Sequence, residues 1–378
     1  MKLSLTALLL IFSLNINAAA TEQTLEQALL SIESAISEND SDKFNQLIDF
    51  NLFIKRVLSP LSSISKANKQ SFRKGFMSSS SRFSERLIEG LKNAIATRLK
   101  VQEESQTIRA MYRFDLGEEG YNYLEFILVK NKQGDYKIVD WYSHISAEYV
   151  SATVSQLLVF ALPGDGVIKE FMRIVNGDKQ EIKRITQALA AFSQSRDPRP
   201  FVEAYEKSGD VIKSNSSISM LYLLVAGQLN DMAIYERALR NFAKYHGKNP
   251  RFSFAMVDHY YFLGEYGNAI QAINRFERVI GVADPALYFL RANTYMEAKN
   301  YPESIKQSRQ AIKLDPNFED AYWTQVNVQI SMSNFNQAID TLKLIESRFG
   351  YAFETTDFEN EAVYLPLMQS KEFKQWLP

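Results

Sequence analysis

Residues 288–316 read YFLRANTYMEAKNYPESIKQSRQAIKLDP, and this stretch decides the fold of the C-terminal half. Tyr288, Ala292 and Tyr295 are spaced four and then three apart, so they share one stripe of a helix. A small Ala292 between two rings lets a second helix approach closely. That second helix stops at Asp315 and Pro316, because proline cannot continue it. Outward from here, the pattern aromatic, two variable residues, small, aliphatic recurs. It occurs as Tyr235-Glu236-Arg237-Ala238-Leu239, Tyr266-Gly267-Asn268-Ala269-Ile270, Tyr301-Pro302-Glu303-Ser304-Ile305 and Phe335-Asn336-Gln337-Ala338-Ile339. The first positions lie 31, 35 and 34 residues apart. A helical hairpin repeated at that interval cannot bury its own apolar flank, so neighbouring copies stack into a solenoid.

Copies on either side are looser: Tyr322, Val326 and Gln329 downstream; Val257 and Tyr260, then Tyr222 and Ala226, upstream. Over residues 216–350 the chain thus resembles the tetratricopeptide repeat family, with Ala311 as its late alanine and Asp315-Pro316 as its terminator. In that family the stripe opposite the packing face lines a concave groove. The resemblance implies a partner-binding groove of Phe254, Asp258 and Tyr261; Phe289, Asn293 and Met296; Trp323, Asn327 and Ile330; with Leu223, Gly227 and Asn230 upstream. Aromatic anchors beside amides suit a peptide or protein segment, the amides bonding its backbone. Packing against neighbouring helices is the other reading of the same side chains, and both stay open here. The family's chaperone-tail clamp sets lysine and arginine beside its asparagines. Here Phe289, Trp323 and Ile330 stand in those places, so that ligand does not follow.

Residues 351–378 carry Tyr364, Leu365, Leu367, Met368, Phe373 and Trp376, apolar enough to cap the last repeat. Residues 167–215 read as a helical connector or as degenerate hairpins. A break at Pro163-Gly164-Asp165-Gly166 separates them from residues 21–162. In that earlier segment, amphipathic helices precede apolar runs of strand length at 108–114, 121–129 and 136–142. The gaps between the runs carry Gly117 and Gly120, then Gly134 with Asp135. The fold class expected is an α+β domain of helices plus an antiparallel meander, followed by an all-α solenoid. The domain loosely resembles nuclear-transport-factor-like and periplasmic phospholipid-carrier folds. Either resemblance implies an apolar pocket between sheet and helices, and a lipid or small-molecule binder as the alternative function.

Between residues 55 and 100, eleven cations face only Glu85 and Glu89. Lys66, Lys69, Arg73, Lys74, Arg82 and Arg86 form the densest part of this basic surface. It reads as a solvated face, as a site for anionic lipid head groups, or as a dock for an acidic partner, the C-terminal half included. The formal net charge of the whole chain is only -1, which gives no bulk attraction to nucleic acid.

Lys2, an apolar run through residues 8–12, and Ala18, Ala19 and Ala20 read as a cleaved signal peptide over residues 1–20. The run is far shorter than the roughly 20 residues that span a bilayer. There is no cysteine, hence no disulfide, no thiolate metal site and no acylated lipoprotein cysteine. A periplasmic or secreted product is expected. His144 and Glu148 share spacing for a metal pair but lack a third ligand, and Asp140 beside Trp141 is either a pocket acid or a strand-end carboxylate. No phosphate loop or nucleophile elbow occurs, so a non-enzymatic module without metal or cofactor is expected.

Overall fold

The computed structural model describes residues 23–62, 64–161, 178–195 and 197–377. The expected signal peptide and the break at Pro163 to Gly166 lie outside the described residues. Among the described residues five helices come first: α1 (Leu25–Ser37), α2 (Ser41–Leu47), α3 (Phe50–Leu58), α4 (Lys66–Ser78) and α5 (Ser80–Glu89). Their starts are set by side chains that satisfy free backbone N–H groups. Thr24 and Gln27 form a capping box on α1, and Asp40 and Asp49 cap α2 and α3. Only Ser79 separates α4 from α5, so the serine run 78–81 is mostly helical.

A five-stranded antiparallel sheet follows in simple meander order: β1 (Ile95–Glu104), β2 (Thr107–Asp115), β3 (Tyr121–Lys130), β4 (Tyr136–Ser143) and β5 (Glu148–Tyr149). This corrects the expectation of a meander of three strands, to which β1 and β5 are added. The charged residues of β1 obscure its alternation, and the structure explains why they are there. A bulge between Arg98 and Lys100 sends these two cations to opposite faces, which a regular strand would not do. Arg98 pairs with Glu26 at 2.6 Å and Glu33 at 3.0 Å on α1, while the Lys100 ammonium donates to the Ile280 carbonyl at 3.4 Å.

Both faces of the sheet are covered. The inner face, with Tyr112, Phe114, Phe126, Leu128 and Trp141, packs on Ile32, Ile36 and Phe53. Phe53 stacks on Trp141 with centroids 5.8 Å apart. The outer face, with Met111, Tyr121 and Tyr123, belongs to the same buried cluster as Phe254, Phe276, Leu287 and Phe318 of the C-terminal half. The sheet is therefore a middle layer.

After α6 (Val150–Ala161) come α7 (Lys179–Ser195), α8 (Arg199–Glu206) and α9 (Asp210–Lys213), then four hairpins. These are α10 (Ser216–Gly227) with α11 (Met232–His246), α12 (Ala255–Phe262) with α13 (Tyr266–Ile280), α14 (Pro285–Glu297) with α15 (Tyr301–Leu314), and α16 (Glu319–Ser331) with α17 (Phe335–Phe349). The small residues of the repeated pattern, Ala238, Ala269, Ser304 and Ala338, are all fully buried. Ser304 loses no hydrogen bond in that slot, since its hydroxyl donates to the Ala292 carbonyl at 2.7 Å. Each hairpin also turns through one left-handed residue: Asn230 (φ 51°), Gly264 (φ 70°), Lys299 (φ 58°) and Ser333 (φ 57°). The period is thus visible in the backbone even where the side chains diverge. Upstream, α7 and α8 pack with the first hairpin, Tyr205 stacking on Tyr222 at 4.1 Å. Beyond α17, α18 (Leu365–Gln369) and α19 (Lys371–Trp376) lay Leu367 and Phe373, together with Phe358, over Leu342 and Ile345.

Candidate functional site

The residues expected to line one continuous groove are divided among five environments. Phe254 and Phe289 lie under the sheet. Phe254 meets Tyr123 edge-on at 4.8 Å, and Phe289 meets Tyr121 at 5.9 Å. Ile330 is buried in the core of the last hairpin. Asn293 accepts from the Thr324 hydroxyl at 3.0 Å, and Asn327 and Met296 are half-buried beside it on the same helical stripes. Trp323 lines a separate pocket with the C-terminal segment. Asp258 and Tyr261 stay in an open cleft, together with Leu223 and Gly227.

This partition has a physical cause. Arg113 on β2 makes a buried ion pair with Asp284, the N-cap of α14, and Tyr123 donates to the second Asp284 oxygen at 2.6 Å. Tyr121 donates to Asp320 on α16, and Arg113 lies over the Phe318 ring at 5.6 Å. Burial beside the Asp284 carboxylate pushes the Tyr123 phenol well above its ordinary pKa, so it stays a donor. The chain's own sheet thus covers Phe254, Phe289 and Phe318, on the side of the repeats that the family resemblance assigned to the groove. The near-continuous apolar run of β3 was the sequence signal for this, since a strand buried on both faces loses its alternation.

The cleft left open has a volume of 740 Å³ and lies between α10 and α12, with Ile145 from the loop after β4 at one side. Large apolar side chains converge there while still exposed: Leu224 is 61%, Phe262 49%, Ile145 45% and Tyr261 40% accessible. Leu224, Phe262 and Ile145 were not expected as site residues, because the face a helix leaves uncovered depends on where the sheet docks. Asp258 is the acid of the cleft. It has no ion pair among the described residues, and the apolar walls raise its carboxyl above the ordinary range although water reaches it.

Two imidazoles sit close to these interfaces. His144 is wedged against Tyr142 and Phe276, and His259 against Phe242, each with a buried Nε2 lacking a partner. Burial lowers both to about 4, with the nearby Arg109 charge adding to the effect on His144. The unfolded value is about 6.5, so between pH 6.5 and 4 the unfolded chain binds protons that the folded chain refuses. This contribution to stability is complete above pH 6.5 and is lost as pH falls through that window. Lowering the pH from 7.5 to 5 is expected to decrease the unfolding free energy by up to about 2 kcal/mol per ring. Urea titrations at the two pH values check this, and His144→Leu should remove one ring's share of the pH dependence.

The remaining candidates take other roles. Glu148 accepts from Ser217 at 2.8 Å, and among the described residues no group of three or more possible ligands forms around it and His144. Asp140 is buried, accepts from the Ser151 hydroxyl at 2.6 Å and from two backbone N–H groups, and holds the start of α6. The apolar pocket expected between helices and sheet is filled by Phe53, Phe76, Phe83 and Trp141, whose centroids are 5.3–5.8 Å apart in successive contacts. Lys66, Arg73, Lys74, Arg82 and Arg86 are exposed and Lys69 is half-buried, and none forms an ion pair among the described residues. The C-terminal half docks on the sheet instead of on this basic face.

Residues 285–318, which span α14 and α15, match the family model of the tetratricopeptide repeat. No curated protein matches the chain. Among solved structures, the crystal structure of MamA protein is similar at 14% identity over 49% of this chain and 97% of its own, with a TM-score of 0.32, too low to carry an argument.

Proposed function

We propose that this tetratricopeptide-repeat protein is an exported, non-enzymatic module that binds a peptide or protein segment through the cleft between α10 and α12. The observation that carries the reading is the convergence of Leu224, Phe262, Ile145 and Tyr261, four exposed apolar side chains, on one concavity of 740 Å³. Isolated exposed apolar residues are ordinary, but a contiguous set in a concave place is a docking feature. Tyrosine and phenylalanine are enriched at interfaces and suit the anchor role, Leu224 and Ile145 add apolar area beside them, and Asp258 is available to orient a donor on the bound segment. Among the described residues, no helix is long and apolar enough to cross a membrane.

Export is the finer part of the reading and rests on Lys2, the short apolar run and Ala18 to Ala20. A single preparation tests both parts. Affinity capture from the native envelope should retain a partner with the wild-type chain and lose it, at least about tenfold, with Leu224→Glu plus Tyr261→Ala. Both changes fall at exposed positions, so the melting temperature should stay close to wild type. Equal retention by a folded variant overturns the cleft. An intact Met1 on the recovered chain, in place of a start near Thr21, overturns export.

A further inference from the structure

A second pocket, of 510 Å³, lies at the other end of the repeats where the tail folds back on α16. Its walls are aromatic: Trp323, Tyr351, Phe353, Phe358 and Tyr364. Neighbouring rings stand nearly perpendicular, Trp323 to Tyr351 at 82° and 6.1 Å, and Phe358 to Tyr364 at 87° and 5.3 Å. Tyr351 stacks on Phe353 at 5.3 Å. A single carboxylate oxygen of Glu319 fixes two walls, accepting from the Trp323 indole at 2.9 Å and from the Tyr351 hydroxyl at 2.7 Å. The cage is therefore held in shape before anything enters it.

The rim is acidic and uncompensated. Asp357 and Glu361 line the opening, and residues 351–364 also contain Glu354 and Glu359 with no lysine, arginine or histidine. Among the described residues, none of Glu319, Asp357 and Glu361 has an ion pair with a cation. Burial and the Glu361 charge together push the Tyr364 phenol up to about 12, so it remains neutral and adds no charge of its own. Ring faces carry the negative part of the aromatic quadrupole, and surface carboxylates add to the same field. A neutral apolar ligand would use the walls and leave that field unanswered.

We propose that this pocket binds an alkylated ammonium group, a cation on an apolar body that needs no directed hydrogen bonds. The site is independent of the cleft between α10 and α12, and either can fail without the other.

Calorimetric titration of the full chain with choline tests it, with 3,3-dimethyl-1-butanol as the uncharged isostere. Choline is expected to bind at least about tenfold more tightly than the isostere. Tyr351→Leu, an exposed position where apolar volume is kept and the ring face is lost, should weaken choline about tenfold, and Tyr351→Phe should hold it within about threefold. Asp357→Asn with Glu361→Gln should weaken choline and leave the isostere unchanged. Co-sedimentation with phosphatidylcholine vesicles then separates sources: vesicle binding places the group on a lipid, and free choline binding alone places it on a soluble ligand. No binding of either form, equal binding of the isostere, or full binding by Tyr351→Leu overturns the proposal.

Discussion

Replacing Asp284 by alanine lowers the unfolding free energy by about 3–5 kcal/mol, because it strands the buried Arg113 guanidinium without its counter-charge. Arg113 is 6% and Asp284 0% accessible, so water cannot take over. Three further losses point the same way. The Tyr123 hydroxyl loses its acceptor, the Ala286 N–H in the first turn of α14 loses its cap, and Arg113 keeps only the Thr97 hydroxyl and the rings of Tyr121 and Phe318. The measurement is the midpoint and slope of a denaturant transition. A control separates charge from packing. Arg113→Met combined with Asp284→Leu should recover the charge part of the loss, since a buried ion pair replaced by apolar side chains of similar size is often neutral, while the Tyr123 hydroxyl and the Ala286 N–H stay without their acceptor. A single Asp284→Ala variant within about 0.5 kcal/mol of wild type would show that the two halves do not depend on this contact.

Removing residues 357–378 produces a loss of similar size by another route. A solenoid ends on a face that its missing neighbour would have covered, and here Phe358, Leu367 and Phe373 cover Leu342 and Ile345. Burying one such side chain contributes about 1.5–3 kcal/mol, so three together contribute roughly 5 kcal/mol or more. The melting temperature should fall markedly, and the freed face should make the truncated chain self-associate. Phe373→Ala is the smaller companion variant, expected to lose about 3–5 kcal/mol without removing backbone. An unchanged melting curve for either variant would deny the tail its capping role.

The repeats were legible because their signal is local. The small residues at Ala238, Ala269, Ser304 and Ala338 must be small for two helices of one hairpin to touch, and all are fully buried. The tail was legible for the same reason, its apolar residues having no partners within their own segment. What covers the other side of each helix is not a local property. Phe254 and Tyr261 lie seven positions apart, about two turns of helix, and both reach the cleft, yet the Tyr123 ring covers Phe254 to 5% accessibility while Tyr261 stays 40% accessible. The difference is made by a strand more than a hundred residues earlier. β1 was missed because Arg98 and Lys100, which look like surface charges, are placed by a bulge against Glu26 and the Ile280 carbonyl. The cage around Trp323 went unread because its second wall comes from the tail, 28 positions later at Tyr351.

The docking of the sheet onto the repeats also sets a timetable. Arg113 and Asp284 are 171 positions apart in the chain. At a synthesis rate of about 5–20 residues per second, the outer face of the sheet waits roughly 10–30 seconds for its cover to emerge. During that interval Met111, Tyr121 and Tyr123 are bare on a formed or forming sheet, which is the state a holding chaperone recognises and an aggregate grows from. The nascent chain is therefore most vulnerable in the middle of its own production, after the meander is complete and before the third hairpin exists.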